Sequence, residues 1–211
     1  MRAVLDSSWR WLSDADRQVI RGLSVFVGGF TLDAAAAVAG ATLANLASLA
    51  ERSLINRVPL TDGTTRYGMH ELVRQYAGEI AQRETPPEID DLSRRHLAYF
   101  VTLAERAKPE WDGAQEAEWL QRLRREDANF DVALSWGLEH QASEQVLRLT
   151  AAHFRVWIYS SVTRDQRSRL DRVLGLPWDA GSPISVSARA RTLNAKPKVV
   201  LRSSHALSER G

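Results

Sequence analysis

The helical spacing of hydrophobic residues in this chain is interrupted by one extended region, and that interruption limits the folds that the chain can adopt. Before residue 54 and after residue 70, apolar residues recur every three to four positions, as in amphipathic helices. Between them, 54–60 and 65–69 read as extended segments joined by Thr61-Asp62-Gly63-Thr64, a sequence that favours a tight turn. Pro59 cannot donate a backbone hydrogen bond, so we expect its strand at a sheet edge. The pattern predicts a two-stranded β-hairpin between helices.

Helix boundaries in the first fifty residues carry clear polar signals. Ser13, Thr31 and Thr42 each precede an apolar periodic segment, and their side-chain oxygens can accept from the unpaired N–H groups of a first helical turn. Gly40 is a typical residue just beyond a helix end. Helices followed by a hairpin and one more helix are the element order of a winged-helix domain, which we predict for residues 1–84.

The rest of the chain is predicted to be helical, with a polar end. Pro86-Pro87 marks a boundary, and 88–180 reads as successive antiparallel helices that could begin an α-solenoid, although no clean repeat of about 34 residues is visible. We expect 181–211 to be a basic, disordered tail. The helical pattern stops at Lys196, and we hypothesise that a shifted reading frame gave this end.

Composition excludes several classes of site. The 211 residues include 44% apolar residues and no cysteine, which predicts a folded core without disulfides or thiolate metal sites. No apolar segment approaches the roughly 18 residues needed to cross a membrane, so we expect a cytoplasmic protein with no membrane partner. No two histidines lie three or four positions apart, so no helical metal pair is predicted.

The sequence also argues against an enzyme. A P-loop needs a lysine after glycine to neutralise phosphates, and none of Lys108, Lys196 and Lys198 follows a glycine. No nucleophile elbow or dinucleotide-binding glycine motif occurs either. We therefore predict no catalytic residues, no metal ligands and no cofactor held by this chain alone.

Several segments resemble one family of regulators. Met69-His70-Glu71 resembles the Met-His-Asp motif of signal-responsive NTPases of the NB-ARC/STAND type, with Glu71 where that motif has aspartate. Three further segments resemble the large LuxR-type and SARP-type STAND ATPases of bacteria. Ser24–Leu32 resembles their "LSVFxGGFTLEAA" signature, and Glu71–Ala77 resembles their "ETVRQYA" segment. The third segment, Glu118–Leu123 with Asn129 and Trp136, is similar to the start of their helical sensor region.

The resemblance implies a mainly α protein in which a winged helix is followed by TPR-like helices. It also implies that His70 senses the phosphate of ADP in a parent architecture whose nucleotide-binding core is missing from this chain. We expect a non-catalytic regulatory fragment, with the winged helix as nucleotide-state sensor and the helices as ligand or protein sensor. Its expected partners are a nucleotide-binding domain and other proteins. From the residues alone, we favour the interpretation that His70 is a helix-start histidine bonded to local backbone.

Two alternatives stay open. The first is a stand-alone winged-helix regulator that binds DNA. The helix in the recognition position, 42–53, offers only Asn45, Ser48 and Arg52 for base or phosphate contacts, so we do not expect direct DNA binding. The second alternative is an interaction adaptor that uses the helical region alone.

Overall fold

The computed structural model describes residues 2–60, 63–159 and 164–194. Helices dominate, and one small antiparallel sheet lies near the N-terminal end, which confirms the mainly α fold class. The chain divides into two compact units, residues 1–99 and 100–211. The predicted limits of 84 and 88 differ from this division, because the long helix that begins at Pro86 continues through it.

The first four helices of the chain lie in the first unit. One begins at the N-terminus, and the other three begin directly after a polar cap residue. The four helices are α1 (Arg2–Arg10), α2 (Asp14–Leu23), α3 (Leu32–Ala39) and α4 (Leu43–Glu51). The hydroxyls of Ser13, Thr31 and Thr42 accept hydrogen bonds from backbone N–H groups in the first turns of α2, α3 and α4, at 3.1–3.2 Å. Gly40 ends α3 in the left-handed conformation at φ 65°. The local cap signals therefore set all three boundaries.

The sheet has one strand more than predicted. Strands β1 (Phe30–Thr31), β2 (Ile55–Pro59) and β3 (Thr65–Met69) lie in the order β1-β3-β2, and Ile55 pairs with Met69. The hairpin and the edge position of Pro59 are confirmed. The sequence did not predict β1, because two residues are too short to show a strand period. Thr61 and Asp62 of the predicted turn lie outside the described residues.

A glycine explains how β1 reaches the hairpin. Gly29 has φ 92°, and a Cβ there would lie 2.6 Å from the carbonyl oxygen of Tyr67. This close approach lets Phe30 pair with Tyr67, and their rings stack with centroids 6.1 Å apart. Arg66 donates to the carbonyl oxygens of Gly28 and Gly29 at 3.1 Å, which fixes the loop on β3. Only glycine fits position 29 without strain.

The core of the first unit forms around α2. This helix packs against α3, α4 and α5 (Glu71–Glu84). Its apolar face contributes Ile20 and Leu23, both at most 1% exposed. Each such side chain contributes roughly 1.5–3 kcal/mol when fully buried. Other buried residues of this core are Phe26, Phe30, Val38, Leu46, Leu49, Tyr67 and Ala77.

The second unit consists of helices. Long helix α6 (Pro86–Arg106) is followed by a 3₁₀ turn (Lys108–Glu110), then by α7 (Glu116–Arg124), α8 (Asp127–Glu139), α9 (Ser143–Tyr159), α10 (Arg164–Gly175) and α11 (183–194). Helix α9 packs against α7, α8 and α10, so it is the central element of this unit. Its core includes Phe100, Leu123, Phe130, Leu134, Leu147, Val156 and Leu170.

Part of the predicted tail is helical. Residues 183–194 form α11, and Ser185, Ala188 and Thr192 are buried at helical spacing on one face. Arg189 anchors the helix, because Nη1 donates to the carbonyl oxygen of Leu174 at 2.8 Å. The disordered-tail prediction is therefore wrong for 183–194, where small and polar residues on the buried face weakened the hydrophobic signal. Lys196 and the hypothesised frame change lie outside the described residues.

No single helix within the described ranges is long and apolar enough to cross a membrane. Helices α3 and α4 meet the length and composition criteria only when joined, and the pair is bent by 105°.

Candidate functional site

His70 lies at the junction between the sheet and α5. Strand β3 ends at Met69, and His70 has extended dihedrals (φ −62°, ψ 139°) as the N-cap of α5. Its Nδ1 accepts a hydrogen bond from the backbone N–H of Leu72 at 3.3 Å. An acceptor Nδ1 places the proton of the neutral ring on Nε2. The ring is exposed, so Nε2–H is free to donate outward. The structure thus contains the local-backbone contact and also leaves a donor for a ligand.

His70 lines an open cleft of about 600 Å³ at the end of the hairpin. The polar side chains beside it are Ser53, Asn56 and Arg57. Arg57 is exposed and its only described hydrogen bond is a long one, 3.5 Å from Nη2 to Thr65 Oγ1. An imidazole N–H and a guanidinium at one cleft are donors that suit an anion. We call these four residues the His70 cleft.

Glu71 has a structural role next to the cleft. Its two carboxylate oxygens accept from Arg74 at 2.7 and 2.8 Å, and from Gln75 at 2.7 Å. The hydrogen bonds from Arg74 and then from Gln75 lower the pKa of Glu71 to about 2. Arg74 in turn donates from Nη1 to the carbonyl oxygen of Ser24 at 3.3 Å. The acidic residue after His70 therefore holds the start of α5 to the end of α2.

The helix in the recognition position is tied to a buried carboxylate. Asp16 of α2 is 7% exposed, and it accepts from Asn45 Nδ2 and Ser48 Oγ of α4, each at 3.0 Å. Burial acts to raise the pKa of Asp16, but the hydrogen bonds from Asn45, Ser13 and Ser48 and the charge of Arg52 outweigh it, so the pKa lies below the ordinary value. We call Asp16, Asn45 and Ser48 the Asp16 cluster.

Most of the hydrogen-bonding capacity of the Asn45 side chain is used within the fold. Its carbonyl oxygen accepts from the backbone N–H of Thr42 at 3.0 Å and from Thr42 Oγ1 at 2.6 Å, which completes a capping box. Its amide donates to Asp16. Of the three residues that the sequence offers for DNA contacts, only Arg52 is both exposed and outside the Asp16 cluster.

The remaining face of α4 is largely apolar. Leu43 is 60% exposed, and Ala44 and Ala47 are exposed beside it. Glu51 and Arg52 carry opposite charges at the helix end, so this surface has little net charge to attract a phosphate backbone.

Among the residues described, no group of three potential metal-ligating side chains occurs, so the other described histidines belong to no such site. His96 and His153 are each 1% exposed. His153 Nε2 lies 3.1 Å from a carboxylate oxygen of Asp127, and His140 contacts the carbonyl oxygen of Trp136. His205 lies outside the described residues.

Comparison with known proteins agrees with the element order. Residues 12–82 match the family model of the winged helix-turn-helix domain. These residues form a winged helix-turn-helix domain. The match covers α2 to α5 and all three strands, which includes both the Asp16 cluster and the His70 cleft.

Relatives of greater length extend the similarity beyond this domain. Proteins from Mycobacterium bovis and from Mycobacterium tuberculosis are each 28% identical over 203 residues, which is 93% of this chain. Both are named putative HTH-type transcriptional regulators. The chain spans only 22% of their length. No solved structure is significantly similar to the chain.

Sequence reasoning predicted a role for His70, which stays a prediction, and it missed the Asp16 cluster. Asp16 looks like an ordinary first-turn acid, and its partners are 29 and 32 residues away in the chain. Nothing in the local pattern separates a buried acid from an exposed one at such a position. Asn45, three residues after Thr42, was a usable signal, because a capping box needs a polar side chain there.

Proposed function

We propose that this chain is the winged-helix and adjoining helical part of a transcriptional regulator, and that its winged helix acts by contacting protein and a nucleotide phosphate. The observation that carries this proposal is the Asp16 cluster. A winged helix that reads DNA presents polar side chains of its recognition helix to base edges. Here Asn45 and Ser48 turn inward to Asp16 instead.

The outward face of α4 supports a protein partner. Leu43, Ala44 and Ala47 give it an exposed apolar surface at the position where a DNA reader has basic and amide side chains. Docking of such a face against a neighbouring domain removes apolar area from water and needs no phosphate contacts. A nucleotide-binding domain is the partner that the resemblance to STAND proteins implies.

The His70 cleft supplies the nucleotide side of the proposal. Nε2–H of His70 and the guanidinium of Arg57 can both donate to a phosphate oxygen in the cleft. Helix α5 begins at this histidine, and the positive end of its dipole adds to the attraction. Because no lysine of this chain follows a glycine, we propose a phosphate sensor without hydrolytic activity.

An NMR titration with pyrophosphate tests the phosphate contact. The chain labelled with ¹³C at histidine Cε1 gives separate signals for His70 and His140, which are both exposed. We expect the His70 signal to move with pyrophosphate, and the shift to fall severalfold in Arg57→Gln. The His140 signal is the control within the same sample. Equal movement of both signals, or no movement of either, would contradict the phosphate-sensor proposal.

DNA binding is the second candidate, and the comparisons favour it more directly than they favour the nucleotide sensor. They match the winged helix-turn-helix domain, and the relatives are named for transcriptional regulation. Arg52 and Arg57 are exposed on α4 and on the hairpin, where phosphate contacts of a winged helix would lie. In this case Arg52→Ala and Arg57→Ala each weaken binding to a DNA duplex and reduce its salt dependence by about one counterion.

A further inference from the structure

A second cleft lies in the helical unit, far along the chain from His70. It has a volume of about 400 Å³ and is lined by the end of α6, by α9 and by α11. A volume of this order suits a small organic ligand. We call it the α11 cleft, because without α11 one of its walls would be missing.

One side of the α11 cleft is cationic. Glu105 accepts from Arg148 Nε and Nη2 at 3.1 and 2.7 Å and from Lys108 Nζ at 3.0 Å. This carboxylate holds both cations at the cleft wall, and the hydrogen bond from Arg148 is the main cause that lowers the pKa of Glu105, so that it stays ionised. Arg148 also has Glu144 3.7 Å from Nη1. The pair of cations is thus fixed in place.

Arg191 adds a third cation to the lining. It is exposed and makes no ion pair with any side chain in 5–60, 63–157 or 168–194. The neighbouring arginine of α11 is different, since Arg189 bonds to the carbonyl oxygen of Leu174 and lies 4.9 Å from the ring of Trp178. Glu105 and Glu144 balance Lys108 and Arg148, so the charge of Arg191 is in excess and the cleft attracts an anion.

The α11 cleft also has apolar lining residues. Ile184 is 52% exposed and stands beside Pro183, and Ala151 and Ala188 are also among the lining residues. An exposed isoleucine next to cations gains stability when an apolar group covers it. Ser187 also lines the cleft, and its hydroxyl can donate to the same anion.

We propose that the α11 cleft binds a small amphipathic carboxylate, whose carboxylate group contacts Arg191, Lys108 and Arg148 and whose aliphatic or aromatic part covers Ile184. The carboxylate matches the planar donors of arginine. A simple anion lacks the apolar part, and a neutral alcohol lacks the charge, so both are expected to bind much more weakly. This site is independent of the winged-helix proposal, and either can fail without the other.

Calorimetric titration of the full chain with octanoate tests this site, with octanol and inorganic phosphate as comparison ligands. We expect octanoate to bind at least tenfold more tightly than either. Arg191→Gln should weaken octanoate binding about five- to tenfold, and Ile184→Ser by several-fold. Arg172→Gln removes another exposed arginine of the same unit and is the matched control, with affinity unchanged.

Two readouts keep the test decisive. Circular dichroism of Arg191→Gln and Ile184→Ser should match the wild type, because both side chains are exposed. If either variant is misfolded, the site is located instead by the NMR chemical-shift changes that octanoate causes in the wild type. The residues with the largest changes should lie in α11 and at the end of α6. Absence of octanoate binding, equal binding of octanol, or equal losses in Arg191→Gln and Arg172→Gln would overturn the proposal.

Discussion

The Asp16 cluster and the His70 cleft use polar side chains in opposite ways within one winged-helix unit. In the Asp16 cluster a carboxylate that is 7% exposed receives hydrogen bonds from two side chains of α4, and the Asn45 side chain also bonds to Thr42. In the His70 cleft the ring and Arg57 are exposed and leave donors free. The closed cluster stabilises the fold, and the open cleft is available to a ligand. This difference is the reason that we propose ligand binding at the hairpin end.

The largest effect should follow from breaking the closed cluster. Asp16→Ala leaves the Asn45 amide and the Ser48 hydroxyl without their acceptor, so we expect a loss of about 2–4 kcal/mol in the free energy of unfolding. Urea denaturation followed by circular dichroism measures it. Asp14→Ala is the matched control from the same helical turn, because the Asp14 side chain is fully exposed; its effect should stay within about 0.5 kcal/mol. Similar losses in the two variants would mean that the cluster does not stabilise the fold.

Acid should remove the same stabilisation gradually. The pKa of Asp16 is lower in the folded chain than its ordinary value of 3.8, so its stabilising contribution is present above about pH 4 and is lost as the pH falls through the folded-state pKa. The stability difference between the wild type and Asp16→Asn should therefore narrow between pH 6 and pH 3. Urea denaturation at both values measures the difference, and a constant difference would contradict the proposed ionised state.

Substitutions of His70 should reduce the free energy of unfolding less than Asp16→Ala does. His70→Ala removes the N-cap of α5, for which we expect a loss of about 0.5–1 kcal/mol. His70→Asn keeps a side-chain acceptor for the N–H of Leu72, so its stability should remain within about 0.5 kcal/mol of the wild type. Thermal unfolding of both variants measures these losses. If His70→Ala were as damaging as Asp16→Ala, the contrast between the two regions would be wrong.

The smallest change in stability is expected at Glu71. Its side chain is 55% exposed, so Glu71→Gln should change the free energy of unfolding by no more than about 0.5 kcal/mol. The hydrogen bonds of Glu71 should have a larger effect on its own pKa. A ¹³C carboxylate NMR titration should give Glu71 a pKa of about 2, and Arg74→Gln should move it back toward 4.5. An unchanged pKa in Arg74→Gln would show that the Arg74 hydrogen bond is not its cause.

Local chemistry explains why much of the winged-helix fold could be predicted. The caps at Ser13, Thr31 and Thr42 and the strand 65–69 depend on neighbours within a few residues. Strand β1 could not be predicted, because two residues carry no period and its pairing depends on the close approach at Gly29.

The partners of His70 and of Asp16 depend on tertiary contacts, so they could not be predicted from the sequence. His70 stood out by its neighbours, but its cleft partners Asn56 and Arg57 come from the paired strand and have no motif of their own. Asp16 is distinguished only by residues about thirty positions away. In the second unit, α11 buries Ser185 and Thr192, so its contact face does not look apolar in the sequence.

Selection of DNA from a random duplex pool by the full chain tests the central claim most directly. If the polar groups of α4 are committed to Asp16, no sequence motif should be enriched, and residual binding should disappear at physiological salt. Enrichment of a motif, with affinity that falls tenfold or more in Arg52→Ala while Asp14→Ala binds normally, would contradict the claim and establish α4 as a DNA-reading helix.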